Sequence, residues 1–151
     1  MRIVIMGCGR VGAALASDFS REGHDVTILD TDPQAFRFLP DDFVGQKVVG
    51  NGIDLDALRR IHLDRADAFV SATRGDNRNV MAAQIAKHIF GVKVVASRVF
   101  DPLREEMYRN MGLRTINPTR VQTNRLRKVV EAATDDEAND LVMQFMQQDG
   151  F

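Results

Sequence analysis

Short apolar runs alternate with amphipathic segments over the first 117 residues of the chain. The runs are rich in valine and isoleucine, which favours strands buried on both faces of a parallel sheet. Six strands are predicted, at 2–6, 26–29, 46–49, 68–72, 92–99 and 115–116. Helices are predicted between them at 10–21, 33–39, 76–90 and 102–111, with a short one capped by Asp54. This alternation predicts right-handed crossovers and an α/β fold, a Rossmann-like doubly wound parallel sheet.

Two of the predicted helices carry apolar faces that should point toward a core. In the helix over 10–21 these positions are Val11, Ala14, Leu15 and Phe19. In the helix over 76–90 they are Val80, Ala83, Ile85, Ala86 and Ile89.

The end of the chain lacks the alternating pattern. Asn117-Pro118 is typical of a helix start, with Asn as the cap and Pro at the first position. Thr134 and Glu137 form a T-x-x-E capping box before a helix with an apolar stripe. That stripe consists of Leu141, Val142, Phe145 and Met146. Two alternatives stay open: this crossover helix packs on the same domain, or it docks on a second subunit. We predict a Rossmann domain over 1–118 and a C-terminal helical crossover and dimerisation segment over 119–151.

Composition narrows the classes of partner. The chain has 151 residues, 44% of them hydrophobic, and a net charge of -1. This charge gives no reason to expect binding to nucleic acid or to an anionic membrane surface. The single cysteine, Cys8, excludes an internal disulfide. No apolar run approaches the ~20 residues of a membrane helix, so direct membrane insertion is not expected.

The first strand runs directly into a glycine-rich corner that opens a helix. Its six residues are Gly7, Cys8, Gly9, Arg10, Val11 and Gly12. In a G-x-G-x-x-G corner the first glycine permits the turn, the second lets a diphosphate approach, and the third allows close helix packing. The amino end of the helix adds free N–H groups and a positive dipole end. The corner therefore predicts a dinucleotide or nucleotide site.

Three side chains near this corner have alternative roles. Asp30, beside Thr31 at the end of the second strand, is placed to accept hydrogen bonds from ribose hydroxyls, which favours NAD over NADP. It could instead cap the next helix, although Asp32 is better placed for that. Arg10 is either a sensor of ligand phosphate charge or a solvated residue at a helix start. Cys8 is either a reactive thiol or a small side chain that fills a gap.

Two further loops follow strands three and four. Open parallel sheets bind ligands at these carboxyl ends. Contacts are predicted from Asn51 and Gly52 on the adenine side, and from Ala72 and Thr73 in the next loop. Asn51 and Thr73 could equally be helix caps. Asn79, inside the following helix, could tie down the loop backbone.

Taken together, six segments resemble the RCK/KTN (TrkA-N type) family of cytosolic nucleotide-binding regulators of potassium channels and transporters. The matching segments are 7–12 with its central arginine, 29–30, 48–54, 72–79, 95–99 and 112–119. The similarity covers residues 1 to about 120. Asn51 departs from the family, which usually has aspartate at that position. The family commonly continues into a second, smaller lobe after the crossover helix, so we expect either a piece of a longer protein or a stand-alone subunit.

The resemblance implies a cytoplasmic regulatory subunit, peripheral to the membrane. The implied ligands are NAD(H) or ATP/ADP, with AMP as a further adenine nucleotide. The implied partners are a second copy of the chain and an integral membrane potassium transporter or channel subunit of the Trk or Ktr type. It also implies that Arg98 faces the ligand cleft, where position alone indicates only a charge at a strand end.

The alternative function is the nucleotide-binding domain of an NAD-dependent oxidoreductase. Hydride transfer needs a substrate pocket and an acid or base near the nicotinamide. His24, His62 and His88 lie at predicted turns or helix ends, where structural roles are expected. Neither metal-ligand spacing nor a Ser-His-Asp set is visible. We therefore predict a binding protein that is not an enzyme, with neither catalytic residues nor a metal site.

Overall fold

A computed structural model describes residues 1–149. Six of its strands form one sheet. The strands are β1 (Arg2–Met6), β2 (Asp25–Asp30), β3 (Gln46–Val49), β4 (Ala68–Ser71), β5 (Val94–Arg98) and β6 (Arg114–Ile116). All neighbouring strands are parallel, in the order β3-β2-β1-β4-β5-β6. The predicted doubly wound parallel fold is confirmed.

Four α-helices lie between strands in the chain, and two more follow β6 within the described residues. They are α1 (Arg10–Arg21), α2 (Leu55–Arg60), α3 (Asp76–His88), α4 (Pro102–Asn110), α5 (Pro118–Val130) and α6 (Asp135–Gln148). Two 3₁₀ helices lie at Pro33–Phe38 and Leu63–Arg65. Asp54 caps α2 by accepting hydrogen bonds from the N–H groups of Asp56 and Ala57, as predicted. The fifth strand is shorter than predicted because the Val92 N–H bonds the Ala86 carbonyl at the end of α3.

The core lies on both faces of the sheet, and β1 contributes to both. Ile3 and Ile5 belong to the cluster on the α1 side. Val4 and Met6 belong to the cluster that also contains residues of α3. All four side chains are at most 2% exposed. A strand buried on both faces needs apolar residues at every position, which accounts for the continuous run at the start of the sequence.

The predicted apolar faces of two helices need correction. Val11 is 45% exposed and Ala14 is also exposed, whereas Leu15 and Phe19 are half-buried. The buried side of α1 consists of Gly12, Ala13, Ala16 and Ser17. These small residues allow the helix to approach the sheet closely, so size rather than hydrophobicity decides which side is buried. In α3, Val80, Ala83 and Ala86 are buried as predicted and Ile85 is half-buried, but Ile89 lies past the helix end and is 58% exposed.

The chain divides into two compact units, Met1–Ile116 and a second unit that begins at Asn117. Asn117 belongs to the second unit as the α5 cap, since its side chain accepts a hydrogen bond from the Arg120 N–H. The predicted domain boundary, after residue 118, lies two residues beyond the end of the first unit at Ile116.

Within the second unit, α5 and α6 contact each other. Thr134 caps α6 as predicted, and Glu137 accepts a hydrogen bond from the Ala133 N–H. Leu141 and Phe145 are half-buried. Among residues 1–149, none of the helices has both the length and the apolar character needed to cross a bilayer.

Candidate functional site: a cleft at the carboxyl edge of the sheet

A cleft of about 760 Å³ lies at the carboxyl ends of the strands. The strand order reverses between β1 and β4, and ligands of open α/β sheets bind at such a switch point. Twelve of the thirteen predicted cofactor-binding residues line this cleft, and Gly12 does not. The twelve are Gly7, Cys8, Gly9, Arg10, Val11, Asp30, Thr31, Asn51, Gly52, Ala72, Thr73 and Arg98.

The glycine corner is shaped by close backbone contacts. Gly7 has φ of +100°, and a Cβ there would lie 2.9 Å from the backbone nitrogen of Thr73. A Cβ at Gly12 would overlap the Gly7 carbonyl oxygen. Gly12 therefore shapes the corner from behind and does not face the cleft. A Cβ at Gly9 would meet nothing within 4 Å, so space in front of the second glycine is open.

Asp30 ties the first two loops of the cleft together. Its Oδ2 accepts a hydrogen bond from the Cys8 N–H at 2.7 Å, and its Oδ1 accepts one from the Asp32 N–H at 3.0 Å. Asp32, not Asp30, caps the 3₁₀ helix by accepting from the Gln34 N–H at 2.9 Å. The alternative role of Asp30 as a cap is therefore wrong. A carboxylate offers about four acceptor positions, so this group can still accept bonds from a ligand's hydroxyls.

The loop after β4 is organised by Asn79, as the sequence suggested. Its Oδ1 accepts hydrogen bonds from the Thr73 N–H at 2.9 Å and the Thr73 hydroxyl at 2.6 Å. Its Nδ2 donates to the carbonyls of Thr73 and Arg98, both at 2.9 Å. Asn79 is fully buried, so these four bonds satisfy its amide and fix the loop to the end of β5. The Thr73 hydroxyl also accepts from the Gly75 N–H at 3.3 Å, so it serves the loop rather than the first turn of α3.

Asn51 closes a turn on the opposite wall of the cleft. Its Oδ1 accepts a hydrogen bond from the Ile53 N–H at 3.3 Å. The helix cap that follows is supplied by Asp54, so the cap role predicted as an alternative for Asn51 is wrong.

Arg98 lines the cleft and is held in place on two sides. Its Nη2 donates to the Thr73 carbonyl at 2.8 Å, and its guanidinium carbon lies 4.5 Å from the centroid of the Phe100 ring. Burial lowers the pKa of this guanidinium; the carboxylate of Asp76 opposes that shift and the like charge of Arg74 adds to it.

Positive charge predominates around the cleft. Five arginines line it, namely Arg10, Arg37, Arg74, Arg78 and Arg98, against two aspartates, Asp30 and Asp32. The whole chain, by contrast, has a net charge of -1. This difference favours an anionic ligand. The Arg10 side chain has neither a hydrogen bond nor an ion pair with any residue of 1–149. Both of its predicted roles stay open.

Cys8 is a packing residue at the back of the corner. It is fully buried, and burial together with the negative charge of Asp30 raises the pKa of its thiol to about 11, against a smaller effect of Lys47. A thiol of this kind is almost wholly protonated at neutral pH, which does not favour the predicted alternative of a reactive thiol.

The three histidines lie outside the cleft lining. His24 contacts the amino terminus at 3.4 Å, the Glu22 carboxylate at 3.6 Å and the Phe19 ring. His62 is the positive-φ residue before the second 3₁₀ helix, and His88 ends α3. In the part of the chain that the structure describes, no group of three or more His, Cys, Asp or Glu residues is placed to hold a metal ion.

Sequence reasoning missed several residues of the cleft wall. Arg74 and Arg78 follow β4, and Arg37 and Phe38 lie in the 3₁₀ helix after β2. The available signal was their position, because each follows a strand whose carboxyl end was already expected at the site. Phe38 is 43% exposed, and the Arg37 guanidinium lies 5.1 Å from its ring centroid.

Comparison with known proteins agrees with this fold. The chain is 47% identical over 120 residues to the Trk system potassium uptake protein TrkA of Streptomyces coelicolor, which covers 80% of this chain and 54% of that protein. It spans about half the length of the curated relatives it matches.

Two solved structures share the fold at low sequence identity. The TrkA-N domain of the inner membrane protein ybaL from Escherichia coli has a TM-score of 0.75 at 14% identity, over 86% of this chain and 96% of that one. The Shewanella denitrificans Kef CTD in AMP-bound form has a TM-score of 0.71 at 18% identity, over 99% of this chain and 93% of that one. The family model of the TrkA-N domain matches residues 3–118, and the chain therefore belongs to the TrkA-N domain family.

Proposed function

We propose that this chain is the nucleotide-binding regulatory part of a potassium uptake system of the Trk type. The observation that carries the proposal is the cleft at the switch point of the sheet. There the glycine corner, the Asp30 carboxylate and a cationic wall meet around one cavity. Membership of the TrkA-N family and similarity to a protein named for potassium uptake support the choice of system.

The proposed ligand is an adenine nucleotide, either NAD(H) or ATP/ADP, with AMP as a further candidate. The diphosphate would lie against Gly7 and Gly9 at the amino end of α1, where unpaired N–H groups favour an anion. The ribose would donate to Asp30, and the adenine would lie near Asn51 and Gly52. Thr73 and Arg98 would close the opposite wall. The AMP-bound state of the Kef domain supports this class of ligand, because that domain shares the fold.

In the proposed mechanism the ligand acts by bridging the loops that line the cleft, in addition to the bonds that Asp30 and Asn79 make between them. Arg10 would distinguish ligands that differ in phosphate charge. The resulting shift would be passed to a dimer formed with a second copy through the segment 119–151. Such coupling requires the ligand to bind two states of the dimer with different affinity.

We further propose that this dimer is cytoplasmic and regulates an integral membrane potassium transporter or channel subunit without itself catalysing a reaction. The division into a nucleotide-binding domain over 1–118 and a crossover segment over 119–151 is part of the same proposal. The apolar side chains that α5 and α6 leave exposed are consistent with a partner surface, and they include Leu126, Val130 and Met143.

The test is calorimetric titration of the purified chain with ATP, ADP, AMP, NAD and NADH. We expect saturable binding of at least one of them and no consumption of the nucleotide during the titration. Absence of binding at saturating concentration would contradict the proposal. Hydride exchange between a bound nicotinamide and a small-molecule substrate would contradict the regulatory role.

A further inference from the structure

The segment after β4 carries two arginines that the glycine-corner motif does not require, Arg74 in the loop and Arg78 in the first turn of α3. Arg74 and Arg78 are exposed and line the cleft. Within residues 1–149, neither side chain has a hydrogen bond or an ion pair. An unpaired arginine in a cleft is available to an anion, and its planar fork suits two phosphate oxygens.

Both arginines follow a strand that pairs with β1, so a ligand at the glycine corner can also contact them. β4 pairs with β1, and Met6 lies opposite Ser71 at the carboxyl end of that pair. Gly7 then packs against Thr73, the residue before Arg74. Asn79 fixes the backbone of Thr73 in this position. Arg74, the next residue, is therefore held beside the glycine corner.

Asp76 and Asn77, the polar side chains between the two arginines, bond to other groups. The two oxygens of Asp76 accept hydrogen bonds from the N–H groups of Phe100 and Asp101, both at 2.9 Å. The Asn77 side-chain oxygen accepts from Arg104 at 3.3 Å and from the Tyr108 hydroxyl at 3.4 Å. Within residues 1–149 neither of them bonds to the guanidinium of Arg74 or Arg78, so both guanidinium groups are open to a ligand.

The charge of candidate ligands separates them into two classes. A terminal phosphate group carries roughly −1.5 to −2 charge at pH 7. The diphosphate of NAD(H) is esterified at both ends and has no terminal phosphoryl group. The one phosphate of AMP is terminal, but it is the α-phosphate, which the proposed function places at the glycine corner. Five arginines and two aspartates line the cleft. Together they carry more positive charge than is needed to neutralise the diphosphate of NAD(H) alone.

We propose that Arg74 and Arg78 bind the terminal phosphoryl group of a nucleoside di- or triphosphate. The inference rests on the proposed function and makes it narrower. It assigns the β-phosphate or γ-phosphate end to the loop after β4, and it ranks ATP and ADP above AMP and NAD(H) as ligands.

The experiment compares the Arg74→Gln/Arg78→Gln double variant with the wild-type chain. ATP, ADP, AMP and NADH are each titrated by calorimetry in magnesium-free buffer at two salt concentrations. The control is Arg60→Gln/Arg65→Gln, which removes the same charge from exposed positions that do not line the cleft. Thermal melting checks that all variants fold, which is expected because all four side chains are exposed.

We expect wild type to bind ATP more tightly than AMP, and the cleft variant to lose roughly ten- to hundredfold of that preference. AMP affinity should change little, and the salt dependence of ATP binding should become shallower. The control should match wild type.

An unchanged ATP-to-AMP preference in the cleft variant would overturn this inference and leave the proposed nucleotide site standing. An equal loss in the control variant would also overturn it, because the effect would then be long-range charge alone. A wild-type chain that binds none of the four nucleotides would instead overturn the proposed function itself.

Discussion

Two sets of arginines, one at each edge of the sheet, differ in their contacts. At the amino edge, Arg2 donates to the Ile61 carbonyl at 2.9 Å and lies 3.9 Å from the Asp25 carboxylate. Arg21, at the far end of α1, lies 3.8 Å from both Asp18 and Asp42. At the carboxyl edge, Arg10, Arg74 and Arg78 line a cleft without any such partner in residues 1–149.

This difference indicates what each set of charges contributes. Paired arginines at the amino edge join elements of the fold, so their loss should reduce stability. Unpaired arginines at the carboxyl edge raise the local potential without bonding to the chain, so their loss should reduce binding instead. Substitutions at the two edges separate these two effects.

The largest effect is expected for Gly9→Asp at the carboxyl edge. A Cβ at this position meets nothing within 4 Å, and the residue is the N-cap of α1, where aspartate is favoured. Stability should therefore stay constant or rise by a few tenths of a kcal/mol. The new carboxylate would occupy the proposed phosphate position, so nucleotide affinity should fall roughly 100-fold. Calorimetry and thermal melting measure the two effects.

Gly12→Asp is the matched comparison for that variant. Its Cβ would overlap the Gly7 carbonyl oxygen, so both binding and stability should be lost. Native nucleotide affinity in either variant would contradict the assignment of the site to the glycine corner.

A smaller loss is expected for Asp30→Asn. The change places an NH₂ group against the N–H of Cys8 or Asp32, and it weakens the bond to a ribose hydroxyl. Affinity for ADP should fall about tenfold. Asp32→Asn is the control, because asparagine caps a helix as well as aspartate does. Equal losses in the two variants would count against the ribose role of Asp30.

At the amino edge, Arg2→Gln should destabilise the fold without affecting binding. It removes the hydrogen bond to Ile61 and the ion pair with Asp25, at a cost of about 1 kcal/mol. Urea unfolding measures this cost, and calorimetry should give unchanged nucleotide affinity. If binding fell while stability did not, the contrast between the edges would be wrong.

The smallest effect concerns Cys8, which packs at the carboxyl edge without facing solvent. Its thiol pKa is raised from 9.0 to about 11, so the folded state holds the proton more tightly than the unfolded state. Stability from this group is therefore present below pH 9 and is lost as the pH rises toward about 11. Unfolding curves of wild type and Cys8→Ala should converge over this range. Alkylation at pH 8 should be roughly 100-fold slower than for a free thiol.

Much of the fold follows from local pattern in the sequence. The bounds of β1, α1 and β3 match their predictions because apolar runs and the glycine corner define them sharply. The caps at Asp54 and Asn117 were predictable because capping depends on a few neighbouring residues.

The remaining differences depend on tertiary contacts. The buried side of α1 was missed because small residues face the sheet, and close approach cannot be read from hydrophobic spacing. Gly12 was placed in the site by motif, but the backbone of Gly7 separates it from the cleft. Arg74 and Arg78 were passed over although they follow a strand that was expected to end at the site, because the glycine-corner motif has no place for them. The pairing of β4 with β1 brings them to the cleft.

The most direct test of the central claim is a crystal structure of the chain grown with ADP. We predict the diphosphate against Gly7 and Gly9, the ribose hydroxyls within hydrogen-bond distance of Asp30, and the terminal phosphate facing the loop after β4. Ligand bound elsewhere on the molecule, or a cleft that stays free of nucleotide at saturating concentration, would contradict the account.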